Sequence, residues 1–132
     1  MQWINALTNC TDTTASATAC FSEGHFGAVD GAVMELALVE CVAQTVAAAR
    51  GYRTQNGLSR EPVGPLGAPP AIGDGGMLAA ISNFRIQSRP LVGKPFQIET
   101  RELKRFGPML LVSGAVLSEG EVIASGELTL YV

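Results

Sequence analysis

The sequence predicts an α+β domain in which an antiparallel sheet wraps around one long buried helix. Three observations predict it. Residues 31 to 50 form one proline-free run rich in alanine, leucine, glutamate and methionine, which favour helix. Strand-like apolar segments come in groups, two before this run and four after it, instead of alternating with helices. Glycine, proline and aspartate cluster between those segments as turn signals. The chain has 132 residues, 47% of them hydrophobic, which suits a single domain over 1–132 with a core of its own.

The elements follow in order. "QWINALTN" (2–9) and "TASATACF" (14–21) read as two strands around the polar turn "CTDTT". The helix comes next, over 31–50. Asp30 suits its N-cap, because a carboxylate there accepts a free backbone N–H, and Gly51 suits its C-terminal stop. Apolar residues occupy almost every face, the pattern of a helix enclosed by protein. Residues 53–76 hold most of the prolines and many glycines, and read as a long loop of the functional or mobile kind. Four strands close the chain: "MLAAISNFRIQS", "FQIETRELKR", "MLLVSGAVLS" and "EVIASGELTLYV". The turns between them are "RPLVGKP", "FGP" and "EG", the last a hairpin.

Composition narrows the function. A net charge of −3 gives no bulk attraction to nucleic acid. No apolar stretch reaches the length of a membrane span, since Glu35 and Glu40 interrupt the longest one. No basic and hydrophobic signal segment opens the chain, so a cytoplasmic location is expected. Cys10, Cys20 and Cys41 form no C-x-x-C pair, and a single histidine leaves a metal site short of ligands. Reduced, packed thiols and no metal are expected. P-loop, dinucleotide and serine-elbow patterns are incomplete. Six of the nine basic residues fall between 85 and 105, among them Arg85, Arg89 and Lys94 around an exposed turn. They are either solvated strand ends or a docking patch for an acidic partner.

Any Ser-His or Cys-His chemistry must use His25, the only histidine, in "FSEGHFGAVDG". Glycines on both sides free it from ordinary strand packing, and the expected helix start lies just beyond. The helix N-terminus and the N–H of Gly31 can polarise a carbonyl oxygen there. Glu40 sits within the apolar helix, and Gln44 shares its face at i+4. Glu35 lies five residues earlier and faces elsewhere. A carboxyl in an apolar setting suits a general acid, and an imidazole suits a general base. The bland readings are a hydrogen-bonded loop histidine and a carboxylate paired to arginine or set in a dimer seam. Ser22 and Cys20 are weak candidates as nucleophiles beside the ring.

"FSEGHF" followed by "GAVMELALVECVAQ" resembles the 3-hydroxyacyl-[acyl-carrier-protein] dehydratases of the hot-dog fold, the FabZ-like group. The resemblance continues through "FRIQSRPLVGKPFQIE" and the closing strand pair, nearly the whole chain outside 53–76. Two positions depart from it: the family's proline after His-Phe is Gly27 here, and the proline before the helix glycine is Asp30. Such departures resemble divergent dehydratase-like proteins of polyketide or aryl-polyene clusters. The resemblance implies dehydration of a 3-hydroxyacyl thioester to the trans-2-enoyl thioester in fatty acid or polyketide-like synthesis. It implies His25 at the α-proton, Glu40 at the departing hydroxyl, Gly31 N–H at the thioester oxygen, and Gln44 orienting Glu40. It also implies a homodimer with shared sites, and no cofactor beyond the phosphopantetheine that carries the substrate on acyl carrier protein or coenzyme A. The alternatives are a hot-dog thioesterase, which would not need His25, and a catalytically silent acyl-binding or scaffolding protein.

Overall fold

The computed structural model describes residues 3–57 and 77–131. Strands β1 (Ala6–Cys10) and β2 (Thr14–Ala19) are followed by two short strands, β3 (Ala28–Val29) and β4 (Ala32–Val33). Helix α1 (Glu35–Gln55) comes next, then β5 (Met77–Ile86), β6 (Phe96–Phe106), β7 (Met109–Ser118) and β8 (Glu121–Tyr131). Six strands form one antiparallel sheet in the order β1-β2-β6-β7-β8-β5, and β3 pairs with β4 alone. This is the α+β architecture expected, one helix against one large sheet.

Alternation fixes which sheet face meets the helix. Along β2 and β7 every second residue is buried, so Ala17, Val112 and Val116 face inward and their neighbours outward. These side chains close on Leu38, Val42 and Val46 of α1 and on Phe96, Ile98 and Leu128. The helix lies close to the sheet because Gly114 has no side chain. A Cβ there would stand 2.5 Å from Val42 Cγ1.

The helix differs from expectation at both ends. Asp30 is not its N-cap, and Gly31 is not at its start. Both take positive φ, 54° and 78°, and form the two-residue turn between β3 and β4. Asp-Gly favours this turn because both central residues need φ > 0. The helix begins four residues later, after an extended Met34 without a side-chain cap. Nor does it stop at Gly51. It continues to Gln55 and ends at Asn56, whose side chain donates to Tyr52 O at 2.8 Å. Gly57 follows at φ 69°, a left-handed stop. Residues 53–55 of the expected loop are therefore helical, and 58–76 lie outside the described residues.

The cause at the C-terminal end is Arg53, only 4% exposed. Its Nε donates to Thr11 O at 2.6 Å, one terminal nitrogen to Thr14 O at 3.1 Å, and the other to Glu102 Oε1 at 2.8 Å. One guanidinium thus ties the last helical turn to the β1–β2 turn and to β6. The single chain also leaves part of the helix uncovered. Leu36 is exposed, and Glu40, Ala43 and Ala47 are half-buried along one stripe. Among the described residues no helix is long and apolar enough to cross a membrane.

Candidate active site

His25 is held by a compact double turn between β2 and β3. Its N–H donates to Ser22 O at 3.1 Å, and its carbonyl accepts from Ala28 N–H at 3.0 Å. Gly27 is buried inside this turn. A Cβ on it would stand 2.4 Å from Phe21 Cε2 and 3.0 Å from Ala37 Cβ, so a larger residue requires the turn to move. Gly27 O accepts from Met34 N–H at 2.6 Å, which fastens the turn to the helix entrance. Gly27 N–H donates to His25 Nδ1 at 2.9 Å.

The half-buried imidazole lies over Phe21, with ring centroids 4.1 Å apart. Trp3 meets the imidazole edge-on at 5.5 Å. Trp3 is also fixed from behind, because its backbone N–H donates to Gln44 Oε1 at 2.6 Å. Gln44 Nε2 in turn donates to Glu40 Oε1 at 3.3 Å. The Gln44 oxygen accepts from the backbone N–H of Trp3 and, at 3.4 Å, of Ile4, so its Nε2 is turned towards Glu40.

Trp3, Glu40 and Gln44 line an open groove of about 340 Å³, together with Leu36, Val39 and Leu78. Its walls are mainly apolar, and the carboxylate of Glu40 is half-buried at the edge. Among the described residues no hydrogen bond joins His25 to Glu40; Trp3 touches the ring of one and, through Gln44, the carboxylate of the other. Trp3 was not foreseen. Being the only tryptophan was its one signal, and no sequence period places residue 3 beside residue 40. Its indole N–H is buried with no hydrogen-bond partner among the described residues, an uncommon state for a buried donor.

The other candidates are placed as follows. Glu35 is exposed in the first helical turn and is not one of the groove-lining residues. Gly31, in its hairpin turn, does not belong to the helix's N-terminal amides. The first helical bond runs from Leu38 N–H to Met34 O, so those unpaired amides are Glu35, Leu36 and Ala37. Cys20, the thiol candidate, is half-buried, and Cys41 is a packed thiol that burial, with the Glu40 charge adding to it, pushes up to about 12. Ser22 engages His25 through its carbonyl. Arg85, Arg89 and Lys94 are all exposed. The turn carrying Arg89 and Lys94 is docked on the site's scaffold. Val92 N–H donates to Gly31 O at 2.9 Å, Gly93 N–H to Phe21 O at 2.8 Å, and Val33 N–H to Pro90 O at 2.8 Å.

No family model matches the chain, and no curated protein matches it in sequence. Solved structures do match its fold. The dehydratase heterocomplex ApeI:P from Xenorhabdus doucetiae aligns with a TM-score of 0.77 at 18% identity, over 98% of this chain and 82% of that one. Thioesterase superfamily member 2 of zebra fish aligns with a TM-score of 0.66 at 16% identity, over 95% and 78%. Its counterpart from Mus musculus gives 0.64 at 13% identity, over 96% and 80%. The chain has the hot-dog fold, with a dehydratase and thioesterases among its neighbours in structure.

Proposed function

We propose that this protein dehydrates a 3-hydroxyacyl thioester to the trans-2-enoyl thioester and catalyses the reverse hydration. One observation carries the reading. A carboxylate oriented by Gln44 borders an apolar groove, and the only histidine lies one ring away across Trp3. Elimination of water needs a group to move the α-proton and polar support for the oxygens, and it neither oxidises nor reduces the substrate. No metal or redox cofactor is required. The phosphopantetheine thioester arrives with its carrier, and the apolar walls suit the acyl chain.

A thioesterase is the second reading. Glu40 could activate water beside the helix amides without His25, and thioesterases are among the fold's relatives. Crotonyl and 3-hydroxybutyryl thioesters, each on acyl carrier protein and on coenzyme A, separate the readings. Reversible loss of the enoyl absorbance with no free thiol is expected. Thiol release would establish the thioesterase, and inertness towards all four would leave an acyl-binding or scaffolding role. A second copy of the chain is proposed to cover the stripe of Leu36, Glu40, Ala43 and Ala47, giving a homodimer.

Acyl carrier protein is the proposed donor of substrate. Arg89 and Lys94 stand on the turn that is hydrogen-bonded to Phe21 and the β3–β4 hairpin, and Arg85 is exposed on β5. Attraction of an acidic carrier to this basic turn speeds encounter and weakens with salt. Reversing the three charges to glutamate is expected to raise KM for a carrier-bound substrate about tenfold or more. Turnover of the short N-acetylcysteamine thioester should stay unchanged. Equal loss on both would make these residues supports of the pocket, and no loss would make coenzyme A thioesters the substrate.

A further inference from the structure

We propose that the outer face of the sheet docks a second copy of this chain, with Arg101 of each copy set against a carboxylate of the other. The inference concerns the face turned away from α1 and does not depend on the reaction. It begins from an open groove of about 660 Å³ on that face. The groove runs from β2 across β6, β7 and β8 to Asn83 of β5, so β7 lies along its middle. Its centre is low, because Ser113 and Ala115 point outward between the buried Val112 and Val116. Three charged residues flank that centre: Glu99 and Arg101 on β6, and Glu127 on β8. None of the three has an ion pair within the chain among the described residues.

Strand register arranges these residues in two rows. One row reads Glu99, Ala115, Ser125, and the next reads Arg101, Ser113, Glu127. Symmetric pairs of identical chains are related by a two-fold axis, and two sheets packed face to face admit two such axes in the plane between them. With the axis along β7, each row meets its own copy reversed. Arg101 then faces the partner's Glu127, and Glu99 faces the partner's Ser125. With the axis across the strands, the two rows exchange. Arg101 then faces the partner's Glu99, and Glu127 faces the partner's Ser125. Under neither axis do like charges meet, and under both Arg101 finds a carboxylate twice over.

The distances suit such a pair. Stacked sheets lie about 10 Å apart and cross at about 30°. The charged positions stand one strand from β7, about 6 Å from the centre, so that crossing displaces them by only about 3 Å. Arginine and glutamate side chains span such an offset. The small side chains of Ser113 and Ala115 leave the sheets free to close, whereas large ones would prop them apart. The charge pattern also selects the occupant. An acidic partner would meet two carboxylates here and a basic one would meet Arg101, while a second copy satisfies both signs.

Sedimentation velocity over a concentration series tests this on the whole chain. The helix stripe is a separate surface, so whatever association it supports persists, and losing the sheet contact halves the mass. Arg101→Glu sets carboxylate against carboxylate under either axis and should raise the dissociation constant at least tenfold, with far-UV dichroism and urea midpoint as in the parent. Adding Glu127→Arg to Arg101→Glu should restore the parent mass if the axis follows β7. Adding Glu99→Arg instead should restore it if the axis crosses the strands. Should Arg101→Glu not fold, Ser113→Arg places bulk and charge at the centre and should halve the mass likewise. Equal masses for the parent and a folded Arg101→Glu protein would overturn the proposal. So would a loss of mass that neither double variant repairs, since no opposed pair would then hold the two copies.

Discussion

Glu40→Gln is expected to lower enoyl-thioester hydration by ~10²–10⁴, the usual worth of a positioned proton-transfer group. This corresponds to a barrier higher by about 3–5 kcal/mol. The substitution is nearly isosteric. An amide oxygen can still accept from Gln44 Nε2, so the chain Trp3–Gln44–residue 40 can persist. Far-UV dichroism and the urea midpoint should not change, and kcat should fall much more than KM rises. Glu35→Gln serves as the internal control. It alters an exposed carboxylate in the same helix, one outside the groove lining, and should leave kcat close to the parent. If Glu35→Gln abolished activity and Glu40→Gln did not, the wrong face of α1 would have been taken as the site.

Arg53→Met is expected to destabilise the fold by about 3–5 kcal/mol, the cost of removing one member of a buried pair. Methionine fills much of the space but donates nothing. Thr11 O and Thr14 O each lose a bond from Arg53, and the carboxylate of Glu102 loses its partner. Urea denaturation measures the loss as a lower midpoint at unchanged slope. Glu102→Gln should cost far less, near 1 kcal/mol, because the Glu102 side chain is 24% exposed and an amide oxygen can still accept from Arg53. Similar losses in both variants would mean that charge attraction, and not the two carbonyl bonds, holds the helix end.

The strands were legible and the helix ends were not, for reasons visible in single residues. Alternating burial along β7 and the Glu119-Gly120 turn, with φ of 53° and 82°, follow local rules of side-chain direction and turn chemistry. Asp30-Gly31 obeys two local rules at once. It fits an N-cap before an apolar run and equally the centre of a two-residue hairpin; the strands it joins are only two residues each, too short to stand out. Gly51 reads as a stop, yet a glycine inside a helix costs only ~1 kcal/mol. Three hydrogen bonds from Arg53, to residues more than thirty-five positions away, outweigh that.

The site was legible as residue types and not as an arrangement. The pairing of Glu40 with Gln44 follows from i,i+4 spacing along a helix. The contact between Trp3 and His25 has no such periodicity, because it depends on where β2 and α1 bring distant segments together. The bond from Gly27 N–H to His25 Nδ1 was hidden for another reason. It follows from the direction of one backbone N–H, and a sequence records that Gly27 has such a group without recording where it points.

Trp3 has an optical consequence. As the chain's sole tryptophan, it is the source of essentially all the protein's red-edge-excited emission. That indole lies against the imidazole, lines the groove, and hangs by its own backbone from the amide that steadies the carboxylate. Any molecule that enters the groove and displaces water from the indole, or draws Gln44 aside, alters the colour or yield of this light. The protein therefore carries an intrinsic fluorophore inside its candidate site, and unlabelled acyl compounds can be titrated against it one after another, reactive or not.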